Sequence, residues 1–273
     1  MRNAKDRWIA HGLSWACAWG MVLAGGCTSV DPRANTYLDK ANTELREAQY
    51  ASAFVSADAA VRADPTGPTA AAAYYDRGRA IEDRPKKDQA ASFADLHQAA
   101  GDYQRAIVAL QYTMNKSLEG QIRAQLGSVS IELDDYPTAA MQLSVAVNLL
   151  EDDASKREAM YGLGLSQQRL GRFDDADQTF GRVEELYPGT DAANMSKMHA
   201  GTRAFYVTVG AFTAEGDVTR ASARLAKAGF AARVEHGANG VTTVLAGPFS
   251  SYTGAKALQG SLAPDFPGSM IVP

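Results

Sequence analysis

Apolar residues in the centre of the chain recur at helical spacing. Between residues 157 and 190, one series follows steps of three and four: Phe173, Ala176, Phe180, Val183 and Tyr187. Those steps place all five side chains on one face of a helix. A similar series precedes Gly171, and glycine suits the end of a helix. The pattern predicts two short helices that pack face to face.

The same pattern returns three more times towards the N-terminus. The next copy towards the N-terminus has Leu126-Gly127, Tyr136, Ala139, Leu143 and Ala146. The copy before that has Gly101, Tyr103, Ala106 and Leu110, and the copy nearest the N-terminus has Tyr50, Ala53 and Pro65. A recurring period of this length predicts stacked helix pairs over residues 34–201. The clearest copy resembles the tetratricopeptide repeat (TPR) in Leu163-Gly164, Gly171, Phe173, Ala176, Phe180 and Pro188. The resemblance implies an all-α superhelix whose concave surface binds a protein partner.

The register of the repeats slips over residues 68–89. Residues 70–82 predict a helix, and the segment from Asp83 to Asp88 is a charged break that contains proline. This stretch is either a degenerate repeat or an inserted loop. Its basic residues Arg84, Lys86 and Lys87 are expected to lie in a solvated loop.

The C-terminal 70 residues change from helical spacing to alternation. Residues 204–212 alternate as a strand, and residues 217–227 follow helical spacing. A short strand, a turn at 236–240, a third strand, a second helix and a last strand follow, which gives the order βαββαβ. Two βαβ halves place both helices on one face of an antiparallel sheet and leave the other face open. A small ferredoxin-like α+β domain is therefore predicted over residues 202–273.

Two segments of this domain carry a more specific resemblance. Residues 205–212 (FYVTVGAF) and 244–249 (VLAGPF) resemble the two half-signatures of the SPOR domain, a bacterial peptidoglycan-binding module. The resemblance implies binding of glycan strands stripped of stem peptides on the open sheet face. The family often has Gln at the position of Thr208 and an aromatic–Arg pair at Thr242-Thr243, so this chain lacks long donors there. Residues 241–245 (VTTVL) lack the aromatic and basic residues of an RNA-binding strand.

Strand alternation selects the candidate glycan-binding residues. If Val207 and Val209 face the helices, Tyr206 and Thr208 face the open side, and the same rule turns Thr243 and Leu245 outward. A sugar offers hydroxyls and apolar ring faces, which threonine hydroxyls and a tyrosine ring complement. The predicted contact set is Tyr206, Thr208, Gly210, Thr243 and Leu245. Strand formation alone would also account for Tyr206 and the threonines.

The N-terminus has the parts of an export signal. Residues 1–11 carry three basic residues and one acidic residue, and residues 12–26 carry no charge. Leu23-Ala24-Gly25-Gly26-Cys27 resembles the lipobox of bacterial lipoproteins, although the leucine lies one position early. The resemblance implies a signal peptide at 1–26, lipidation of Cys27 and a short tether at 27–33. Thr28 in place of Asp favours the outer membrane, facing the periplasm. A plain secreted protein and a membrane-spanning anchor are the alternatives.

Charge and composition exclude further classes of protein. Two cysteines in 273 residues exclude a disulfide-dense scaffold, and a net charge of −4 argues against nucleic-acid binding by bulk electrostatics. Residues 27–201 sum to −8 and residues 202–273 to +2, which places a domain boundary near 201 and suggests a basic or neutral protein partner.

Motifs for catalysis, metals and cofactors are not found in the sequence. It has no H-E-x-x-H, no G-x-S-x-G and no glycine-rich phosphate loop. The acidic pairs 134–135, 152–153 and 174–175 fall at repeat turns and helix starts, where acids complement the helix dipole. We expect no enzyme and no cofactor.

These expectations combine into two hypotheses. The first is a lipid-anchored cell-envelope adaptor that binds peptidoglycan glycan through the C-terminal domain and a protein through the repeats. The second is an envelope assembly scaffold whose C-terminal domain binds protein and not glycan, which the threonines at 208, 242 and 243 favour.

Cleavage before Cys27 makes a spectroscopic prediction. Trp8, Trp15 and Trp19 all precede Cys27, so the processed chain should contain no tryptophan. Its fluorescence should come from tyrosine alone, and its intact mass should match a chain that begins at an acylated Cys27. A tryptophan emission band from protein isolated from membranes would contradict the cleavage site.

Overall fold

The computed structural model describes residues 32–151, 154–237 and 240–273. The signal peptide, Cys27 and most of the tether lie outside these residues, as do Asp152, Asp153 and part of the predicted turn at 236–240. Within these described ranges, nine α-helices come first: α1 Pro32–Arg46, α2 Tyr50–Ala63, α3 Ala70–Asp83, α4 Gln89–Ala109, α5 Lys116–Glu132, α6 Tyr136–Leu149, α7 Ala154–Arg169, α8 Phe173–Leu186 and α9 Asp191–His199. The predicted fold class, TPR-like helical repeats followed by a small α+β domain, is confirmed.

Three helix pairs, α3–α4, α5–α6 and α7–α8, pack through a glycine on the first helix. A Cβ atom added at Gly78, Gly127 or Gly164 would come closer than 3.0 Å to a large side chain of the second helix. The large partners are Tyr103, Leu143 and Phe180, in that order, and each is 2% exposed or less. The glycines therefore let the paired helices approach closely enough to enclose these side chains.

This packing corrects the predicted register of the copy that contains Gly101 and Tyr103. The sequence pattern aligned Gly101 with the turn residue Gly171 and Tyr103 with Phe173. In the structure Gly101 lies inside α4, and Tyr103 occupies the place of Phe180 against Gly78. The cause is the length of α4, which has 21 residues where α8 has 14. Residues 68–89 are thus part of a degenerate repeat with a long second helix.

The charged segment between α3 and α4 is tied to the fold. Arg84 Nε donates to Asp95 Oδ2 at 2.8 Å, and Lys86 Nζ lies 3.0 Å from the same oxygen. Asp95 on α4 pairs with both residues, but Arg84 and Lys87 stay exposed, so the expectation of a solvated loop is wrong only for Lys86, whose side chain is 20% exposed. The Arg84 guanidinium, with a smaller contribution from Lys86, lowers the pKa of Asp95 to about 2.

The ion pairs of Asp95 predict an acid-sensitive contribution to stability. A carboxyl with a lowered folded-state pKa stabilises the fold above its unfolded pKa of about 4, and this stabilisation is lost as the pH falls towards about 2. Asp95→Asn should lower the free energy of unfolding at pH 7 and flatten its decline between about pH 4 and 2, measured by urea unfolding. Asp39→Asn, exposed on α1, serves as the control. An unchanged acid limb in Asp95→Asn would contradict the pairing.

The C-terminal domain is a four-stranded antiparallel sheet with the strand order β2-β3-β1-β4. Its helices cover one face and share a core with Phe205, Val207, Val209, Val244 and Ala246. Ser251 caps the second helix by accepting a hydrogen bond from the Gly254 amide. The elements are β1 Phe205–Phe212, α10 Glu215–Lys227, β2 Ala232–His236, β3 Thr242–Phe249, α11 Tyr252–Leu262 and β4 Met270–Val272.

An aromatic cluster joins the two parts of the chain. The Arg169 guanidinium, at the end of α7, lies 3.9 Å from the ring centroid of Tyr252 and 5.4 Å from that of Phe205. From the repeats, Phe173 packs on Phe205 with the ring centroids 5.9 Å apart, and Tyr136 packs on Tyr252 with the centroids 5.6 Å apart. The turns that end α5 and α7 thus rest on the start of β1 and of α11.

Ion pairs flank the aromatic cluster. Lys256 of α11 pairs with Asp134, and Asp177 of α8 accepts hydrogen bonds from Arg203 Nη1 at 2.7 Å and from the Gly201 amide at 2.9 Å. Burial opposes ionisation of Asp134, but hydrogen bonds from Lys256 and Tyr136 outweigh it and lower the pKa of Asp134. These contacts fix the segment between α9 and β1 against the last repeat.

Two glycines with the same backbone angle test this junction. Gly171 and Gly189 both have φ +77°, so alanine at either position costs roughly 1–2 kcal/mol of backbone strain. A Cβ at Gly171 would also collide with the carbonyl oxygen of Ser250, whereas Gly189 has open space around it. Gly171→Ala should therefore lose about 1–3 kcal/mol more in urea unfolding, or separate the domains and raise the radius of gyration in X-ray scattering. Equal losses and equal radii would contradict the junction.

Candidate functional site

The open face of the sheet presents the residues that do not enter the helix-side core. Because Phe205, Val207 and Val209 pack beneath α10 and α11, Tyr206 and Thr208 project from the opposite face. On β3, Leu245 pairs with Thr208, and Thr243 pairs with Ala211 past an irregularity in the register between Thr208 and Gly210. Tyr206 and Thr208 of β1 thus lie beside Thr243 and Leu245 of β3 on one surface.

Arg233 adds a cation that the sequence argument missed. It lies on β2, pairs with Leu245, and holds its guanidinium carbon 5.1 Å from the ring centroid of Tyr206. Glu235, two residues further on, accepts from Arg233 at 2.7 Å. The face therefore has an aromatic–arginine pair, but its arginine comes from β2 and not from positions 242–243. The alternation of Arg233 and Glu235 was the available signal in the sequence.

Leu245 lies beneath this pair and is only 6% exposed. It is flanked by Arg233 on β2 and Thr208 on β1, and the side chains of Arg233 and Tyr206 meet above β3. Little of the Leu245 side chain is accessible to a ligand, so its role is to support the residues of the open face.

Gly210, which the sequence pattern includes in the contact set, does not belong to the open face: the irregularity after Thr208 pairs it with Val244, and Val244 and Phe212 both pack in the helix-side core. A Cβ at Gly210 would come 2.6 Å from the ring of Phe212. The Phe212 ring therefore covers Gly210, which allows this aromatic side chain to lie against the strand.

The hydroxyls of the open face differ in whether they form hydrogen bonds. Thr242 Oγ1 lies 3.1 Å from Nδ1 of His236. The hydroxyls of Tyr206, Thr208 and Thr243 make no hydrogen bond to the residues that the structure describes, and all three residues are partly exposed. With the Arg233–Glu235 pair neutral overall, the face offers one ring and three free hydroxyls, which suits an uncharged or weakly charged polyol.

The repeats contain a second candidate site. A groove of about 280 Å³ lies between α5 and α7, the first helices of neighbouring repeats. Its apolar floor includes Ile131 and Leu143, and its polar lining is Gln125, Ser128, Ser155 and Glu158. Room for it exists because Gly162 has no side chain to place against Ile131 and Leu143.

A hydrogen-bonded carboxylate braces one side of this groove. Glu82 of α3 accepts from Tyr103 and, at 2.8 Å, from Gln125 Nε2. Burial raises the pKa of Glu82 against the effect of these two hydrogen bonds, and Asp83 and Glu132 raise it further. Burial likewise raises the pKa of Tyr103 far above its ordinary value. Tyr103 is thus a core residue, in keeping with its place in the repeat pattern. Tyr112, by contrast, is 44% exposed.

The acidic pairs act at helix starts in the described residues. Asp135 accepts from the Thr138 amide at the start of α6, Asp134 pairs with Lys256, and Asp174 and Asp175 lie in the first turn of α8. Within the ranges that the structure describes, no group of three or more His, Cys, Asp and Glu residues could hold a metal ion.

Comparisons with solved structures give TPR proteins. YrrB, described as a TPR protein with an unusual peptide-binding site, is 26% identical over 61% of this chain and 77% of its own, with a TM-score of 0.48. MamA from Desulfovibrio magneticus RS-1 is 16% identical over 63% and 93%, with a TM-score of 0.47. Pseudomonas aeruginosa pilF is 14% identical over 87% and 94%, with a TM-score of 0.44. No curated protein matches the chain.

Family models match both parts of the chain. The tetratricopeptide repeat model matches residues 158–190, which hold most of α7 and all of α8. The SPOR domain model matches residues 201–273, which hold the whole sheet and both of its helices. The chain therefore carries a tetratricopeptide repeat and a SPOR domain, which are binding modules and suggest protein interaction and peptidoglycan binding.

Proposed function

We propose that this protein is a lipid-anchored adaptor of the bacterial cell envelope. In this proposal the open sheet face binds peptidoglycan glycan, the repeats bind a protein, and Cys27 anchors the chain to a membrane. The observation that carries it is the open face itself, where the Tyr206 ring and three unengaged hydroxyls lie in a domain that the SPOR model matches throughout.

The chemistry of the face fits a glycan strand stripped of its peptides. Sugar rings have apolar faces that pack on aromatic rings, and Tyr206 supplies such a ring. Thr208 and Thr243 supply hydroxyls that both donate and accept hydrogen bonds. Arg233 supplies the long donor that Thr208 and the 242–243 pair lack, and its five N–H groups exceed the needs of its contact with Glu235.

The repeat groove supports the protein-binding half of the proposal. An apolar floor with Ser128, Ser155 and Glu158 along its sides suits an extended segment that places one apolar side chain inward. The charge of −8 over residues 27–201 favours a basic or neutral partner.

The membrane attachment rests on the sequence around Cys27. None of the helices in the described residues is both long and apolar enough to cross a bilayer. Lipidation of Cys27 would place the anchor five residues before α1 begins at Pro32. Two or three acyl chains, at about 0.8 kcal/mol per buried methylene, would hold the chain firmly. Thr28 favours the outer membrane.

Binding to sacculi tests the glycan proposal. The full chain in detergent should bind amidase-treated sacculi, which have lost their stem peptides, more strongly than untreated sacculi. Tyr206→Ala, and separately Thr208→Ala with Thr243→Ala, should each weaken binding about tenfold, since a lost stacking or paired hydrogen-bond contact is worth about 1.4 kcal/mol. Tyr112→Ala removes an exposed tyrosine on the repeats and should leave binding unchanged.

Two results would contradict this proposal in different ways. Equal binding to treated and untreated sacculi would remove the claim for stripped glycan. Strong binding that survives the Tyr206 and threonine substitutions would show that the open face is not the site. A chain that binds neither kind of sacculus would favour the protein-binding scaffold, the second hypothesis from the sequence.

A further inference from the structure

The open sheet face continues into a trough at the domain junction. The trough has a volume of about 420 Å³ and is lined by Met198 of α9, by residues 200–204 and by Tyr206. We propose that it is a second carbohydrate subsite, which takes the continuation of the glycan strand held on the open face. This inference rests on the proposed function, because it extends the same ligand.

Tyr206 is the physical link between the two surfaces. Its side chain belongs to the open face, where Arg233 lies 5.1 Å from the ring centroid, and it also forms part of the trough wall. A linear polymer whose sugar packs on Tyr206 therefore passes directly from one surface to the other. Since a glycan strand is longer than the sheet face, the next sugars on this side must meet the trough.

The trough offers both kinds of contact that a sugar needs. Met198 is 74% exposed, and its flexible thioether side chain adapts to an irregular apolar surface. Arg203 uses Nη1 for Asp177 and for the Thr202 carbonyl oxygen, and its Nη2 lies 3.9 Å from Asp174, but its side chain is still 57% exposed and keeps N–H groups beyond these contacts. Donors beside an apolar side chain match the hydroxyls and ring faces of a saccharide.

The trough exists only because the two domains are docked. Met198 lines it from α9 of the repeats, and Tyr206 of β1 and Pro273 line it from the SPOR domain. The Gly201 amide and Arg203 both bind Asp177, which fixes the floor between the walls. The subsite should therefore add affinity only for strands long enough to reach α9.

Oligosaccharides of defined length test this subsite. Stripped glycan fragments of two and of at least four disaccharides would be titrated calorimetrically into the full chain in detergent. We expect the wild-type chain to bind the long fragment about tenfold more tightly than the short one. Met198→Glu should abolish this advantage and leave the short-fragment affinity unchanged, and Met198→Ala should reduce it. Met195→Glu, at a 40% exposed position on the same helix outside the trough, should change neither affinity.

The outcomes separate this inference from the proposed function. If Tyr206→Ala weakens binding but Met198→Glu leaves the length advantage intact, the trough is not a subsite and the glycan proposal stands. Equal wild-type affinities for both fragments, or an equal loss for both in Met198→Glu, would also overturn the subsite. If the wild-type chain binds neither fragment, the glycan proposal itself fails.

Discussion

The stacking of Arg169 on Tyr252 is the contact around which the two domains are arranged. Nε and Nη1 of Arg169 are buried and donate no hydrogen bond to the described residues. A buried guanidinium without such bonds is costly, and a desolvated cation–π contact of about 2 kcal/mol offsets part of that cost. Asp134 supplies a nearby negative charge, since Arg169 helps to lower its pKa. The position of α11, and with it the position of β1 and Tyr206, therefore depends on the end of α7.

The repeat architecture could be predicted from local spacing, but one register could not. Gly101, Tyr103, Ala106 and Leu110 follow helical spacing whether Tyr103 begins a helix or lies about four turns inside α4, because every seven residues return almost to the same face. Only the contact of Tyr103 with Gly78, 25 residues earlier, decides between the two. A repeat pattern thus predicts which residues pack inward more reliably than it predicts the partner of each.

The candidate site, too, could be predicted from the sequence only in part. Strand alternation placed Tyr206, Thr208 and Thr243 on the open face, since the direction of a side chain in a strand depends on its own position. The burial of Leu245 and the contact of Arg233 with Tyr206 depend on the strand order, which sets β2 and β1 on either side of β3. Sequence alternation contains no information about that order. The threonines at positions 242 and 243 on β3 therefore do lack the long donor expected there, but the sequence did not indicate that Arg233 on β2 supplies one.

A fixed junction between the repeats and the SPOR domain affects how binding at one domain acts on the other. If the domains were joined by a flexible linker, binding at the sheet face would only raise the local concentration of the repeats near the glycan. Here Asp134, Asp177 and Arg169 hold the start of the SPOR domain against the last repeats. The groove between α5 and α7 then keeps one orientation relative to Tyr206. A glycan strand on the sheet face would therefore orient a protein bound in the groove as well as recruit it.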